Sequence, residues 1–194
     1  MRFFRRPVTC VLVASALVGC GLGVYDDFPP LRITDNFRAI EPGRAYRSAQ
    51  LDPTTLALLI DVYGIRTVIN LRGENPDELW YQNERALLAE KGVALVDVRW
   101  SAFELPPREE LLKLYDAFLT VAEPILIHCQ AGADRTGAAA AIWRMVMLGE
   151  ERQEAARQLA LFYGHVEALT PAMDELVRIF EPSREWIENQ YPGP

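Results

Sequence analysis

Residues 32–194 read as one α/β domain, a central and mostly parallel sheet flanked by helices, and three observations predict it. Short β-branched apolar runs alternate with longer segments of helical periodicity, the pattern of strands joined by crossover helices. Proline, glycine and small polar residues punctuate the ends of those segments. The run Pro124-Ile125-Leu126-Ile127 passes through a loop of small residues into an alanine-rich helix, which places that loop at the carboxyl end of a central strand.

Each element follows from its own signals. Phe37 to Ile40 and Arg44 to Ser48 are expected to pair as strands across Glu41-Pro42-Gly43. Asp52-Pro53 offers an N-cap with proline at the first helical position, and Gly64 closes that helix. Thr67 to Leu71 reads as a buried strand. Asn75-Pro76-Asp77-Glu78 repeats the capping pattern for a helix running to Lys91 and stopping at Gly92. Val93 to Val98 is the next strand, and Pro107 to Ala122 a helix with Leu111, Leu114 and Phe118 at core spacing. Beyond Gly149, the segments Glu151 to Tyr163, Pro171 to Phe180 and Ser183 to Tyr191 read as amphipathic helices over the sheet. Tyr163-Gly164-His165 interrupts them; His165 reads first as a structural residue of that turn and second as a neighbour of the loop.

The loop carries the chemistry. Residues 128–137 are His128-Cys129-Gln130-Ala131-Gly132-Ala133-Asp134-Arg135-Thr136-Gly137. Gln130, Ala131, Gly132 and Ala133 have little bulk, so successive backbone N–H groups can converge on one anion. A helix expected from Thr136 adds unsatisfied N–H groups and a positive dipole end, and Arg135 adds a planar fork suited to two phosphate oxygens. Cysteines in such surroundings ionise well below the ordinary thiol value of about 8.5. Cys129 is therefore the expected nucleophile. Thr136 is placed to donate to the sulfur when it leaves, and His128 to orient the loop. Arg135 and the helix terminus supply the positive charge that a metal would otherwise bring, so neither metal nor cofactor is expected.

His128 to Gly137 resembles the active-site loop of the cysteine-dependent protein tyrosine and dual-specificity phosphatase superfamily. Ala45-Tyr46-Arg47-Ser48-Ala49-Gln50 and Gly64-Ile65-Arg66-Thr67-Val68-Ile69-Asn70-Leu71-Arg72 extend the likeness to small atypical dual-specificity phosphatases, over roughly residues 36–165. The resemblance implies a protein tyrosine phosphatase-like fold, a phosphocysteine intermediate, and a carboxylic acid that protonates the leaving oxygen.

Three carboxylates compete for that role. Asp97 lies thirty-two residues before Cys129 but inside a predicted strand, whereas Glu104 follows that strand, where the family places its acid loop. Asp134 sits in the phosphate loop itself, as in myotubularin lipid phosphatases and some secreted bacterial phosphatases; its bland reading is a carboxylate that holds the loop's shape. Asp134 ranks first, Glu104 second and Asp97 third. Arg72 reads equally as an ion-pair residue and as a receiver for the non-reacting part of an anionic substrate, and Arg47 rather as a surface ion pair. Expected substrates are phosphotyrosine or another phosphoprotein, with phosphoinositides as a further class. Lys91 and Lys113 are the only lysines, which leans away from highly phosphorylated inositols. A silent phosphate-binding module and a rhodanese-like sulfurtransferase are the alternatives.

The N-terminus points outside the cytosol. Met1-Arg2-Phe3-Phe4-Arg5-Arg6 and the apolar stretch Val8 to Val24 resemble an export signal, and Leu17-Val18-Gly19-Cys20 resembles a lipoprotein signal. Residues 1–19 are expected to be removed, Cys20 to carry lipid, residues 20–31 to form a tether, and the domain to face the periplasm. Cys10 then leaves with the signal, so Cys129 is the single free thiol, exposed to oxidation. Loss of Arg2, Arg5 and Arg6 leaves 17 basic against 27 acidic residues. Such a surface excludes general attraction to nucleic acid; the expected contacts are the phosphorylated substrate and, through lipid, a membrane.

Overall fold

A computed structural model describes residues 35–194. Strands β1 (Arg38–Glu41), β2 (Ala45–Ser48), β3 (Thr67–Asn70), β4 (Ala94–Asp97) and β5 (Ile125–His128) form one sheet in the order β1-β2-β5-β3-β4. Only β1 and β2 pair antiparallel. β2 and β3 run parallel to β5, which lies in the middle with Ser48 and Asn70 both in register with His128, and β4 runs parallel to β3. The loop after β5 therefore leaves the sheet between the ends of β2 and β3.

The helices follow the punctuation. Asp52 caps α1 (Pro53–Tyr63) by accepting from the amides of Thr54 and Thr55. Gly64 and Gly92, both left-handed, end α1 and α2 (Leu79–Lys91). The cap expected at residues 75–78 works differently: Asn75 Nδ2 donates back to the carbonyls of Arg72 and Gly73, tightening the turn after β3, and α2 begins without a side-chain cap. The chain continues through α3 (Arg108–Thr120), α4 (Asp134–Leu148), α5 (Arg152–Ala155), α6 (Pro171–Ile179) and α7 (Arg184–Asn189).

Period-two alternation divides the core. Val68 and Leu126 face a cluster with Leu56, Leu59, Ile60 and Leu88 of α1 and α2. Ile69, Ile125 and Ile127 face the opposite cluster, built with Leu114, Phe118, Trp143 and Leu176. Ala138 to Trp143 are fully buried, so the middle of α4 is buried on every side and lies inside this second layer.

Two expectations are corrected. α4 begins at Asp134, two residues before Thr136, so Asp134 and Arg135 belong to its first turn. Glu151 to Tyr163 is no continuous helix: α5 tightens into a 3₁₀ turn at Ala156–Gln158, and a second follows at Leu161–Tyr163. At the break the Gln158 carbonyl accepts from Arg47 Nη1 at 2.8 Å, which ties the first 3₁₀ turn to β2. Among the described residues no helix is long and apolar enough to cross a membrane. The export signal, Cys20 and residues 20–31 lie outside the described residues.

Candidate active site

The loop is shaped by what holds its carbonyls. The Gln130 carbonyl accepts from the Gln50 amide at 3.1 Å, that of Ala131 from Asn36 Nδ2 at 3.1 Å, and that of Gly132 from Arg47 Nη2 at 2.7 Å. The Ala133 carbonyl receives the Gly137 amide at 2.9 Å. With these four consecutive carbonyls all taken, the intervening N–H groups are free to serve an anion on the concave side. Gly132 is essential to this path, with φ +69° and a notional Cβ only 2.6 Å from Ala49 N and Ser48 C.

Arg47 is the largest departure from the sequence reading. It is not a surface ion pair but a fully buried side chain of β2. Nη1 donates to both oxygens of Gln158 at 2.8 and 2.9 Å, Nη2 reaches the Gly132 and Ala133 carbonyls, and the guanidinium lies 3.9 Å from the Tyr163 ring centroid. Burial pulls its pKa down to about 10.

Cys129 lies on the floor of the loop and is 2% exposed, so the thiol is shielded rather than freely exposed. Thr136 Oγ1 is also buried and has no hydrogen-bond partner among the described residues, which leaves its proton available to the loop interior. Arg135 Nη1 donates to the carbonyls of Leu71 at 3.3 Å and Trp100 at 3.2 Å, so the segments that follow β3 and β4 fix the fork.

His128 anchors the loop from beneath. Nδ1 faces the Cys129 carbonyl at 3.3 Å and Nε2 faces Glu84 Oε1 at 3.2 Å. Gln50 Nε2 donates to Glu84 Oε2 at 2.5 Å, and Arg72 Nη1 donates to Gln50 Oε1 at 2.9 Å. Burial works against a charged Glu84, but His128, Gln50 and Arg72 more than offset it and hold the carboxyl below its ordinary range. Arg72 stacks on Trp80 at 3.4 Å, so it is a positioned cation at the mouth rather than an ordinary ion pair. Burial, and then the charge of Arg135, lower its pKa.

The three carboxylates occupy different surroundings. Asp97 accepts from Asn70 Nδ2 at 2.7 Å and Tyr81 OH at 2.6 Å, so each of its oxygens is engaged in joining β3, β4 and α2. Glu104 is exposed on the loop whose Trp100 carbonyl receives Arg135. Asp134 stands at the start of α4, one residue from Arg135, with Oδ1 bound by His165 and Thr170. Only Asp134 is built into the loop.

Sequence reasoning missed Glu84, Asn36, Gln50 and Gln158. Glu84 had a signal, since it shares the buried stripe of α2 with Tyr81 and Leu88 at helical spacing. The others act through contacts between segments 80 to 111 residues apart, which local pattern does not carry.

A mostly parallel sheet whose central strand runs into a cysteine-bearing loop, followed by an arginine at a helix N-terminus, defines a protein tyrosine phosphatase-like fold. The family model described as DSP-PTPase phosphatase fused to NAD+ kinase matches residues 33–172, and the chain belongs to that family. The crystal structure of P. aeruginosa TpbA is similar with TM-score 0.62 and 25% identity, covering 77% of this chain and 87% of that one. TpbA in complex with pTyr gives TM-score 0.60 and 22% identity, over 81% and 99% of the two chains. The core catalytic domain of the PP-IP phosphatase SIW14 from S. cerevisiae, in complex with citrate, gives 0.62 and 21%, over 79% and 89%. No curated protein sequence matches.

Proposed function

We propose that this domain hydrolyses phosphomonoesters through a phosphocysteine at Cys129, with phosphotyrosine as the first substrate class and other phosphoproteins and phosphoinositides as the range to screen. One observation supports the reading: the carbonyls of Gln130 to Ala133 are all taken by donors, which frees the intervening amides to receive an anion beside Cys129. TpbA, the similar protein of which a pTyr complex is known, supports the choice of phosphotyrosine.

In the first step the Cys129 sulfur attacks phosphorus. The S–P bond forms as the ester P–O bond breaks, and the leaving oxygen takes a proton from Asp134. Arg135 and the loop amides hold the equatorial oxygens as their charge grows. In the second step water attacks phosphorus, Asp134 recovers a proton from that water, and the sulfur departs with a hydrogen bond from Thr136. Arg72, oriented by Trp80 and Gln50, receives the non-reacting part of the substrate.

Hydrolysis of p-nitrophenyl phosphate tests this, with Cys129→Ser expected to abolish turnover. Binding without turnover in the unaltered protein would instead mark a silent binding module, and a thiosulfate-dependent persulfide on Cys129 would mark a sulfurtransferase. For the acid, Asp134→Asn should lose activity mainly on substrates with poor leaving groups; Glu104→Gln and Asp97→Asn, treated alike, decide against Asp134 if either shows that dependence in its place.

We propose further that the protein acts outside the cytosol, held to a membrane by lipid on Cys20, because residues 1–20 combine a basic start, an apolar stretch and a lipoprotein-like end. Metabolic labelling with radioactive palmitate, lost in Cys20→Ser, tests it.

A further inference from the structure

Asp134 is one end of a chain of three groups. Its Oδ1 lies 2.8 Å from His165 Nδ1 and 2.8 Å from Thr170 Oγ1, and His165 Nε2 lies 2.9 Å from Asp174 Oδ2. The members come from separate elements: Asp134 from the first turn of α4, His165 from the turn after the second 3₁₀ helix, and Asp174 from the first turn of α6. His165 is 4% exposed, whereas the Asp134 and Asp174 side chains are 26% and 29% exposed at either end. Among the described residues those two carboxylates are the only charged groups paired with the ring, and the Thr170 hydroxyl is its other polar neighbour.

Proton counting gives this arrangement a meaning. Each ring nitrogen faces a carboxylate oxygen, and each such contact needs a proton of its own. A neutral imidazole supplies one; an imidazolium supplies both. Oδ1 of Asp134 already accepts two donors, so Oδ2 is the oxygen left to carry a transferable proton. A charged ring beside Asp134 stabilises the carboxylate that forms as the proton leaves, and the Asp174 charge balances that ring while Asp134 is still protonated. Asp174 also lines an open surface groove with Glu167 and Glu175, so the far end of the chain meets water away from the loop.

We propose that His165 and Asp174 are positioning residues for Asp134: the buried imidazole, charged and held by Asp174, fixes Oδ1 and presents Oδ2 as the proton-donating oxygen. The inference rests on the reading of Asp134 as the acid. A merely structural role would need the shape of Asp174 but not its charge, and Asp174→Asn separates the two because the amide keeps an oxygen for Nε2–H.

The test compares Asp174→Asn, His165→Gln and Asp134→Asn on p-nitrophenyl phosphate and on phenyl phosphate, whose leaving group is poorer. Asp174→Asn is expected to lower kcat about tenfold more on phenyl phosphate than on p-nitrophenyl phosphate, and to add nothing to the loss of Asp134→Asn in the double variant. Nitrogen NMR of the ring, in a chain with only two histidines, should show two protonated nitrogens at His165 in the unaltered protein and one in Asp174→Asn. Should His165→Gln fail to fold, the Asp174→Asn comparison still decides. Equal losses on the two substrates, additivity with Asp134→Asn, or a singly protonated ring in the unaltered protein would overturn the proposal. If Asp134→Asn itself shows no leaving-group dependence, the acid reading falls and this one with it; if it does while Asp174→Asn does not, this one falls alone.

Discussion

Arg47 Nη2 lies 2.7 Å from the carbonyl oxygen of Gly132, so a side chain from the neighbouring strand fastens the loop after β5 from behind. The same guanidinium holds Gln158, which ties the loop, β2 and the 3₁₀ turn after α5 into one unit. Arg47→Met is expected to orphan these acceptors at a cost of about 1–3 kcal/mol each. It should also lower kcat/KM at least tenfold. Arg47→Lys should recover little, because a point charge cannot replace the fork. Thermal denaturation and steady-state kinetics check both.

Gly132 tests the loop's close approach to β2. Gly132→Ala combines a positive φ with a Cβ driven to 2.6 Å from backbone atoms, so activity should fall by more than tenfold. Gly43→Ala is the matched comparison, since its φ is +79° but nothing lies within 4 Å. It should cost about 1 kcal/mol in stability and leave turnover near that of the unaltered protein.

Glu84 predicts an acid-side dependence of stability. Its carboxyl is held below the ordinary value of 4.5, so the unfolded chain binds the more protons as pH falls. The stabilisation is fully present above about 4.5 and is lost as pH drops through the lower, native value. Glu84→Gln should flatten unfolding free energy against pH in that range, measured by urea denaturation between pH 3 and 7.

Asp97 is expected to behave as a structural residue. Asp97→Asn leaves one acceptor oxygen where Asn70 and Tyr81 now use two, and should destabilise by about 1–3 kcal/mol. Its kinetic loss should be the same for good and poor leaving groups. A selective loss on poor ones would return Asp97 to the place assigned to Asp134.

Much of the fold was legible because its signals are local. Asp52 with Pro53, Gly64 and Gly92 bound their helices as chemistry requires, and the apolar runs ending at Asn70, Asp97 and His128 became parallel strands. The failures share a cause. The helix expected over Glu151 to Tyr163 breaks where Gln158 meets Arg47, 111 residues away, and the Asn75 cap was diverted to the turn after β3.

The sequence by itself determined the ten residues from His128 to Gly137, their place after a central strand, and the family they signal, because strand, loop and helix start are contiguous and their spacing is set by backbone geometry. Tertiary structure alone decided that Arg47 is a buried clamp, that Glu84 and Gln50 carry Arg72 to His128, and that Asp134 rather than Asp97 or Glu104 is wired to a histidine and a second carboxylate. Those relationships depend on which distant segments a folded core brings within hydrogen-bond reach, and no local periodicity encodes that.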